Sequence, residues 1–563
     1  MSEMILPGTY IEVRPEGLIV PGRVSVNNVG VVGTAGKGPI NSPIILSSYT
    51  EARETFGDYD AWVDGASGEL TLVRALEQIF THGATTVLAV RISSLDVDTT
   101  PDAGKAAFML ASAAGNCVQL LALSAGEWGN AIEVNVSAAD AHSFVSNEQH
   151  NGGAAISLNY TPVVQSARNR IAHFIDADQR TRILNIIYTG TAGPGQVLLD
   201  INTGALTFAA GEDPAAADVV TASYVVNQSA SAKITVRYGL QEEVYIVANG
   251  NDLAGDINGA SALVSAAPAA NAAELPTAFA SALDFQFFGT GSNPRGDNGA
   301  VVSASDYKDG LDLLINEPAH IMVAAGQSHT DIGADLTAHV TAASSDLNKR
   351  ERIGVVGSAL GDNLDALRGH DLNSDRIVFV APGIVATDAA TGSRVTLPGA
   401  YTAAAIAGLM ASYSPHISLT NKPLPVVDLQ KKYTNAELTQ LVQNRVLALQ
   451  DKLGFKVVKG ITTSTNTAWH QITTRRIVDY AKYGVRSAAD PYIGLLNNAR
   501  VRGAMRATIN SFLAEMVEDE MLISYDLDVS ATREEERQGI ARVTIVLRPV
   551  FSIDFIKVTM FLE

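Results

Sequence analysis

From residue 23 onward, short apolar runs alternate with stretches of helical period. SPIILSSYTEARETFGD (42–58) reads as a strand, a cap at Ser48 or Thr50, and a short helix stopped at Gly57. GELTLVRALEQIFTHGATTVLAVRI (68–92) predicts an amphipathic helix, a stop at Gly83 and a buried strand. This β-α-β rhythm predicts a mixed or parallel sheet. It resumes beyond residue 300, where HIMVAAG, RIGVVGSALG and RIVFVAPGI predict three strands covered on both faces. AYTAAAIAGLMASY (400–413) is too short to span a bilayer and reads as a buried helix.

Two regions break the rhythm. Residues 137–290 are rich in Ala, Gly, Ser and Thr and carry short alternating runs such as KITVRY and EEVYIVAN, which predict an inserted, mainly β domain. SAGEWGNAIEVNV just before it reads as a turn and an alternating strand, and GTGSNPRGDNGAVVSASDY (289–307) as a polar linker leading back. From about 422 the pattern changes again. TNAELTQLVQNRVLALQ (434–450) predicts one helix with a capping box between Thr434 and Glu437. GLLNNARVRGAMRATINSFLAEMVEDE (494–520) predicts a long helix with the stripe Val501, Met505, Ile509, Phe512, Met516. LISYDLDV and IARVTIVLRPV then form a hairpin around a charged loop. Both chain ends are extended: PGTYIEVRPEG is bracketed by prolines that oppose a helix, and FSIDFIKVTMFLE follows Pro549. Such arms are too small to build a core and must pair with something.

The expected fold is therefore a multi-domain α+β chain with an α/β core. The expected divisions are an arm (1–22), the first part of the core (23–136), the inserted domain (137–290), the second part of the core (291–421), a helix-plus-hairpin domain (422–549) and a second arm (550–563). A length of 563 residues accommodates several domains.

Composition narrows the function. The single cysteine, Cys117, excludes intramolecular disulfides and fits assembly in a reducing cytosol. The N-terminus carries Glu3 and lacks the cationic start and apolar core of a targeting signal. A net charge of −19 argues against nucleic acid as a partner. The charge is unevenly spread: from Lys422 on there are 19 basic and 16 acidic residues, and the totals of 40 and 59 leave 21 and 43 for the rest. The two parts are suited to different surroundings.

Chemistry-bearing motifs fail on inspection. GVVGTAGKGP (30–39) departs from a phosphate-binding loop because Val31 replaces the first glycine and Gly38 the hydroxyl. GVVGSALG (354–361) misses a nucleophile elbow at Val356. NGNDLAGDING lacks a calcium ligand at Ala254 and the distal acid at Ser265. The ten histidines show no metal-ligand spacing. No catalytic, cofactor-binding or metal residue is expected. The alternative kept open is a nucleotide-binding α/β enzyme using the loops at 30–39 or 354–361.

PGTYIEV, GVVGTAGKGPINSPIILSSYTEARETFG, EWGN, GSNPRGDNGAVVSASDYKDGLDLL and RIVDYAKYGVRSAADPYIGLLNNARVRGAMRATINSFLAEM, in this order, resemble a contractile bacteriophage tail sheath protein, a family shared with pyocin-like and other contractile injection particles. The resemblance implies a structural subunit rather than an enzyme, with no cofactor. It implies stacked hexameric rings around a tail tube in a virion tail assembled in the host cytoplasm. The implied partners are further copies of the chain, the tube protein, and baseplate and tail terminator proteins, with no nucleic acid and no membrane insertion. The implied strand donors are Tyr10, Ile11, Glu12 and Val13 in one arm and Phe551, Ile553, Phe555, Ile556 and Val558 in the other. The implied acceptor is the hairpin bearing Ile523, Tyr525, Leu527, Val543, Ile545 and Leu547. The implied tube-facing residues are Arg502 and Arg506, four apart on one helix, with Arg500 as a weaker member.

Overall fold

The computed structural model describes residues 26–58, 62, 70–153 and 155–561. The chain divides into two compact units, one made of residues 1–35, 40–94 and 301–563, the other of 36–39 and 95–300.

The first unit is built on an eight-stranded sheet in the order β2-β3-β1-β4-β5-β6-β7-β8. The strands are β1 (Val29–Thr34), β2 (Pro43–Leu46), β3 (Val87–Ile92), β4 (Ile321–Ala324), β5 (Ile353–Gly357), β6 (Ile377–Ala381), β7 (Val446–Asp451) and β8 (Phe455–Val457). The pairs from β3 through β7 are parallel, and the edge strands β2 and β8 are antiparallel. Helices on both faces bury the inner strands, which explains their continuous apolar runs. Val31, Ala89, Val323, Val355 and Val380 face the helices α1 (Leu72–Thr81) and α2 (Gly399–Ser412). Val32, Val90, Met322, Val356 and Phe379 face the opposite layer, which includes Tyr307, Leu336 and Val340. The α2 helix holds the AIAGLM run because it crosses α1 closely: a Cβ on Gly408 would lie 2.3 Å from the Ile79 carbonyl oxygen. Among the described residues no helix is long and apolar enough to cross a membrane.

Two expectations change. The helix expected over 434–450 stops at Gln443, and Val446–Asp451 is the strand β7. Arg445, at φ 67°, breaks the helix, and Val446, Leu447 and Ala448 pair with β6. Residues 95–136, expected within the first part of the core, instead form strands that pair within the second unit. Gly115–Ala122 lies between Ala107–Ser112 and Val264–Pro268, and Glu133–Ala138 pairs with Ala232–Tyr238. Apart from residues 36–39, the unit therefore runs from 95 to 300.

The second unit is mainly β, with sheets of seven, four and three strands and one α-helix of regular length, Gly250–Ala260, among its described residues. That helix holds GNDLAGDING and is capped by the preceding Asn249. The 289–303 segment carries no regular element, and the next helix starts at Ala304 under a Ser303–Asp306 capping box.

Candidate subunit-contact surface

The C-terminal part of the first unit begins with α3 (Ile472–Ala489). Its Arg475–Asp479 pair, spaced by one helical turn, is buried against the sheet. Arg376 reaches Asp479 with both guanidinium nitrogens at 2.8 and 3.0 Å, and Arg475 bridges Asp479 at 2.8 Å and Asp375 at 3.0 Å. Two turns further on, Arg486 forks onto the buried Glu351 at 2.6 Å on each oxygen. Burial alone would raise the Glu351 carboxyl. The Arg486 hydrogen bonds and charge more than offset this and hold it below the usual range. Removing one partner would strand a buried charge, so this network fixes α3 to the sheet.

The next helix, α4 (Ala499–Glu518), starts where Asn498 accepts the Val501 N–H at 3.0 Å. Four of its expected stripe residues, Met505, Ile509, Phe512 and Met516, are buried, and Val501 is half-buried. It packs on α3 at Gly484, where a Cβ would lie 1.8 Å from the Phe512 ring. Tyr480 stacks on the same ring with centroids 5.7 Å apart.

Beyond α4 lie β9 (Leu522–Ser530) and β10 (Arg542–Pro549), an antiparallel pair forming a sheet of its own. Tyr525, Leu527, Val529, Val543, Ile545 and Leu547 are half-buried and pack toward α4. Asp526, Asp528, Thr544, Val546 and Arg548 point to solvent. Ile523 is exposed, because a register shift between Leu522 and Ser524 moves it off the inner face. The charged loop holds a short helical turn, Arg533–Arg537, capped by Thr532 and Glu535. Backbone and side-chain hydrogen bonds from Thr532, with Arg542, bring the Glu535 carboxyl down to about 2.

The arginines have definite partners. Arg502 donates to Asn497 at 2.8 Å and Glu536 at 3.0 Å. Arg506 is exposed and donates to the Leu527 carbonyl at 3.3 Å. Arg500 is exposed beside a groove lined by Tyr492, Leu495, Leu496, Val501 and Ala504. Ile493, Leu495 and Leu496 of the preceding loop are also exposed.

After β10 the chain carries no regular element through residue 561. The expected donors Phe551, Ile553, Phe555, Ile556 and Val558 are 60, 81, 81, 82 and 72 % exposed, and Met560 and Phe561 follow them into solvent. A run of large apolar side chains held out of the core marks a contact surface, whereas single exposed ones do not. The other expected donors, Tyr10 to Val13, lie outside the described residues.

The glycine loops have packing roles. Lys37 places its ammonium 4.9 Å from the Trp128 ring centre and 5.7 Å from that of Tyr238, and Gly38 N–H donates to Ser124 Oγ at 3.0 Å. At the second loop, a Cβ on Gly357 would lie 1.9 Å from the Gly399 carbonyl, where α2 begins. Among the described residues no His, Cys, Asp and Glu group could hold a metal.

Sequence reasoning missed the buried ion network around α3, although the Arg475–Asp479 spacing was a usable signal. It also missed the contact of Asp554 with Lys459 and Gln471, both at 3.3 Å, which no local pattern announces.

This helix-helix-hairpin arrangement has counterparts. Residues 300–463 match the model of the phage tail sheath protein central domain, and residues 464–563 that of the phage tail sheath C-terminal domain. Both matched stretches carry phage tail sheath domains. Solved structures extend the sheath fold to nearly the whole chain. The sheath tail protein of Desulfitobacterium hafniense matches with TM-score 0.58 and 14% identity, covering 96% of this chain and 100% of that one. The sheath tail protein of Listeria innocua matches with TM-score 0.59 and 14% identity, covering 95% of each. A search of curated proteins found no match. These are the domains of phage tail sheaths, which are components of contractile tails.

Proposed function

We propose that this chain polymerises as stacked hexameric rings around a tail tube, by strand exchange between subunits, and contracts to drive the tube through a host envelope. The observation carrying this reading is the exposed apolar C-terminal segment beside a two-stranded sheet that has no third strand among the described residues. A two-stranded sheet is marginal alone and its edges invite pairing. A strand from another copy would supply backbone hydrogen bonds and cover the edge. A head-to-tail contact of this kind extends helically where it does not close. Both arms, including Tyr10 to Val13, are donors in this reading, and β9–β10 is the acceptor. Assembly takes place in the host cytoplasm, with baseplate and terminator proteins limiting the two ends.

The α4 end of the first unit faces the tube in this reading. Arg500, Arg502 and Arg506 are the basic contacts in this reading, and the exposed Ile493, Leu495 and Leu496 lie on the loop before them. The test is negative-stain microscopy of the purified full chain beside chains lacking residues 1–20 or 550–563. Tubes or stacked rings from the full chain, lost in both truncations, are expected. Monodisperse small particles that bind nucleotide would overturn the reading.

A further inference from the structure

We propose that the C-terminal segment is divided at Asp554: the stretch before it stays on its own subunit, and the stretch from Ile556 is the strand that a second copy takes. This rests on the strand-exchange reading above and specifies which residues travel.

Two independent observations place the division. The first is a tether. Val550 N–H donates to the Met521 carbonyl at 3.2 Å, so the chain leaves β10 still attached to its own body. Four residues later the Asp554 carboxylate meets the Lys459 ammonium and the Gln471 amide, both at 3.3 Å. The two charged side chains are only 20 and 11 % exposed, which protects the pair from salt and competing water. The Lys459 ammonium also sits 5.4 Å from the centre of the Phe555 ring. Beyond Phe555, Ile556, Val558 and Met560 are exposed.

The second is a change of phase in the sequence. Along an extended chain, alternate residues share a face. In 551–555 the odd positions are apolar (Phe551, Ile553, Phe555) and the even ones polar (Ser552, Asp554). From 556 the pattern inverts: Ile556, Val558 and Met560 are apolar, and Lys557 and Thr559 are polar. A strand added to a sheet with one covered face can bury only one of its own faces. A single continuous donor over 551–558 would turn half its apolar side chains outward. Two strips meeting at Phe555–Ile556 avoid that conflict, and the tether lies at the same place.

A second copy is the matching occupant because every copy carries both parts, a strip with one apolar face and a hairpin with an open edge. With Ile556, Val558 and Met560 turned inward, Lys557 lies on the solvent side, where the hairpin shows Asp528 and the Asp526–Arg548 pair, joined at 3.2 Å. Two carboxylates face one guanidinium there, and Lys557 would balance the charge.

The test uses the full chain with p-benzoylphenylalanine in place of Phe555, beside the Lys459 side chain. These subunits are co-assembled with a large excess of 15N-labelled normal subunits, irradiated, and the joined peptides are read by mass spectrometry. The expected result is a link to the Lys459 peptide carrying no 15N, in free subunits and polymer alike. An Asp554→Asn change should reduce that link. A 15N-labelled Lys459 peptide in the polymer, or a link elsewhere, overturns the tether. A second chain, ending after Phe555, should keep the intrachain link and lose polymerisation. If it still polymerises, the assignment of the travelling strand to 556 onward is overturned. If a chain lacking all of 550–563 polymerises as well, the strand-exchange reading itself fails.

Discussion

Lys37 shows how a single residue separates chemistry from packing. Its ammonium sits over Trp128 and Tyr238, and such contacts contribute about 0.5–2 kcal/mol. Lys37→Ala should lower the stability of the second unit by that order in urea unfolding followed by Trp fluorescence, and leave polymers intact. Lost polymers with unchanged stability would contradict the packing role. Buried histidines make a second residue-scale case. Burial, with Arg352 beside both, holds His320 and His339 down at about 3. Arg352 Nη1 lies 3.0 Å from His339 Nε2, so the arginine donates and the neutral imidazole accepts there. His320 is faced by Arg350, Glu351, Arg352, Arg476 and the Tyr483 ring, and His339 by Arg352 and, at 3.8 Å, Asp312. Below the ordinary value of 6.5 the unfolded chain takes up protons that the folded chain refuses until about 3. Stability should therefore be full above pH 6.5 and fall toward pH 3, by up to about 1.4 kcal/mol per pH unit for each histidine. Urea midpoints measured from pH 7.5 to 4.5 check this, and His339→Gln should flatten the slope. A slope unchanged in that variant would remove His339 from the account.

At the scale of elements, much was legible where one period persisted. The parallel core strands, α2 and the β9–β10 hairpin all follow from runs of period two or from uninterrupted apolar runs. The 434–450 stretch misled because Leu438, Leu441 and Val442 pass into Val446, Leu447 and Leu449 with no glycine or proline between. A short strand buried on both faces has no period of its own to mark the change. The start of the second unit was equally hidden: Ala107–Ser112 looks like any core strand, and only its partners assign it. Of the candidate site, the exposed arm and the hairpin were readable, but the partners of Arg502 and Arg506 depend on a loop and a strand edge brought near by folding. The α3–α4 packing gives a prediction at this scale. Gly484→Ala drives a methyl into the Phe512 ring and should cost about 1–3 kcal/mol, as overpacked cores do. Adding Phe512→Leu should recover part of it. Thermal unfolding of the single and double variants reads the coupling, and strictly additive losses would mean that the two residues do not share the contact.

At the scale of the whole molecule, the proposed donor and acceptor lie on one chain, and their separation has consequences for growth. A subunit ending after Phe555 keeps the β9–β10 acceptor and lacks the strip from 556 onward. Such a subunit can receive a strand but not give one. Placed in a head-to-tail polymer it should join one growing end and offer the next subunit an incomplete partner. Mixing it with full-length chain should then shorten the tubes as its fraction rises, well before total polymer mass falls. A hairpin variant such as Ile545→Lys, with a charge on the inner face, should behave differently: it loses the acceptor and should add little to any polymer. Tube lengths from negative-stain images, set against pelleted mass, distinguish the two. Equal lengths at all truncated fractions would mean that the terminal strip does not carry the contact between subunits. Shortening by the truncated chain but not by the hairpin variant is the pattern that directional strand exchange requires.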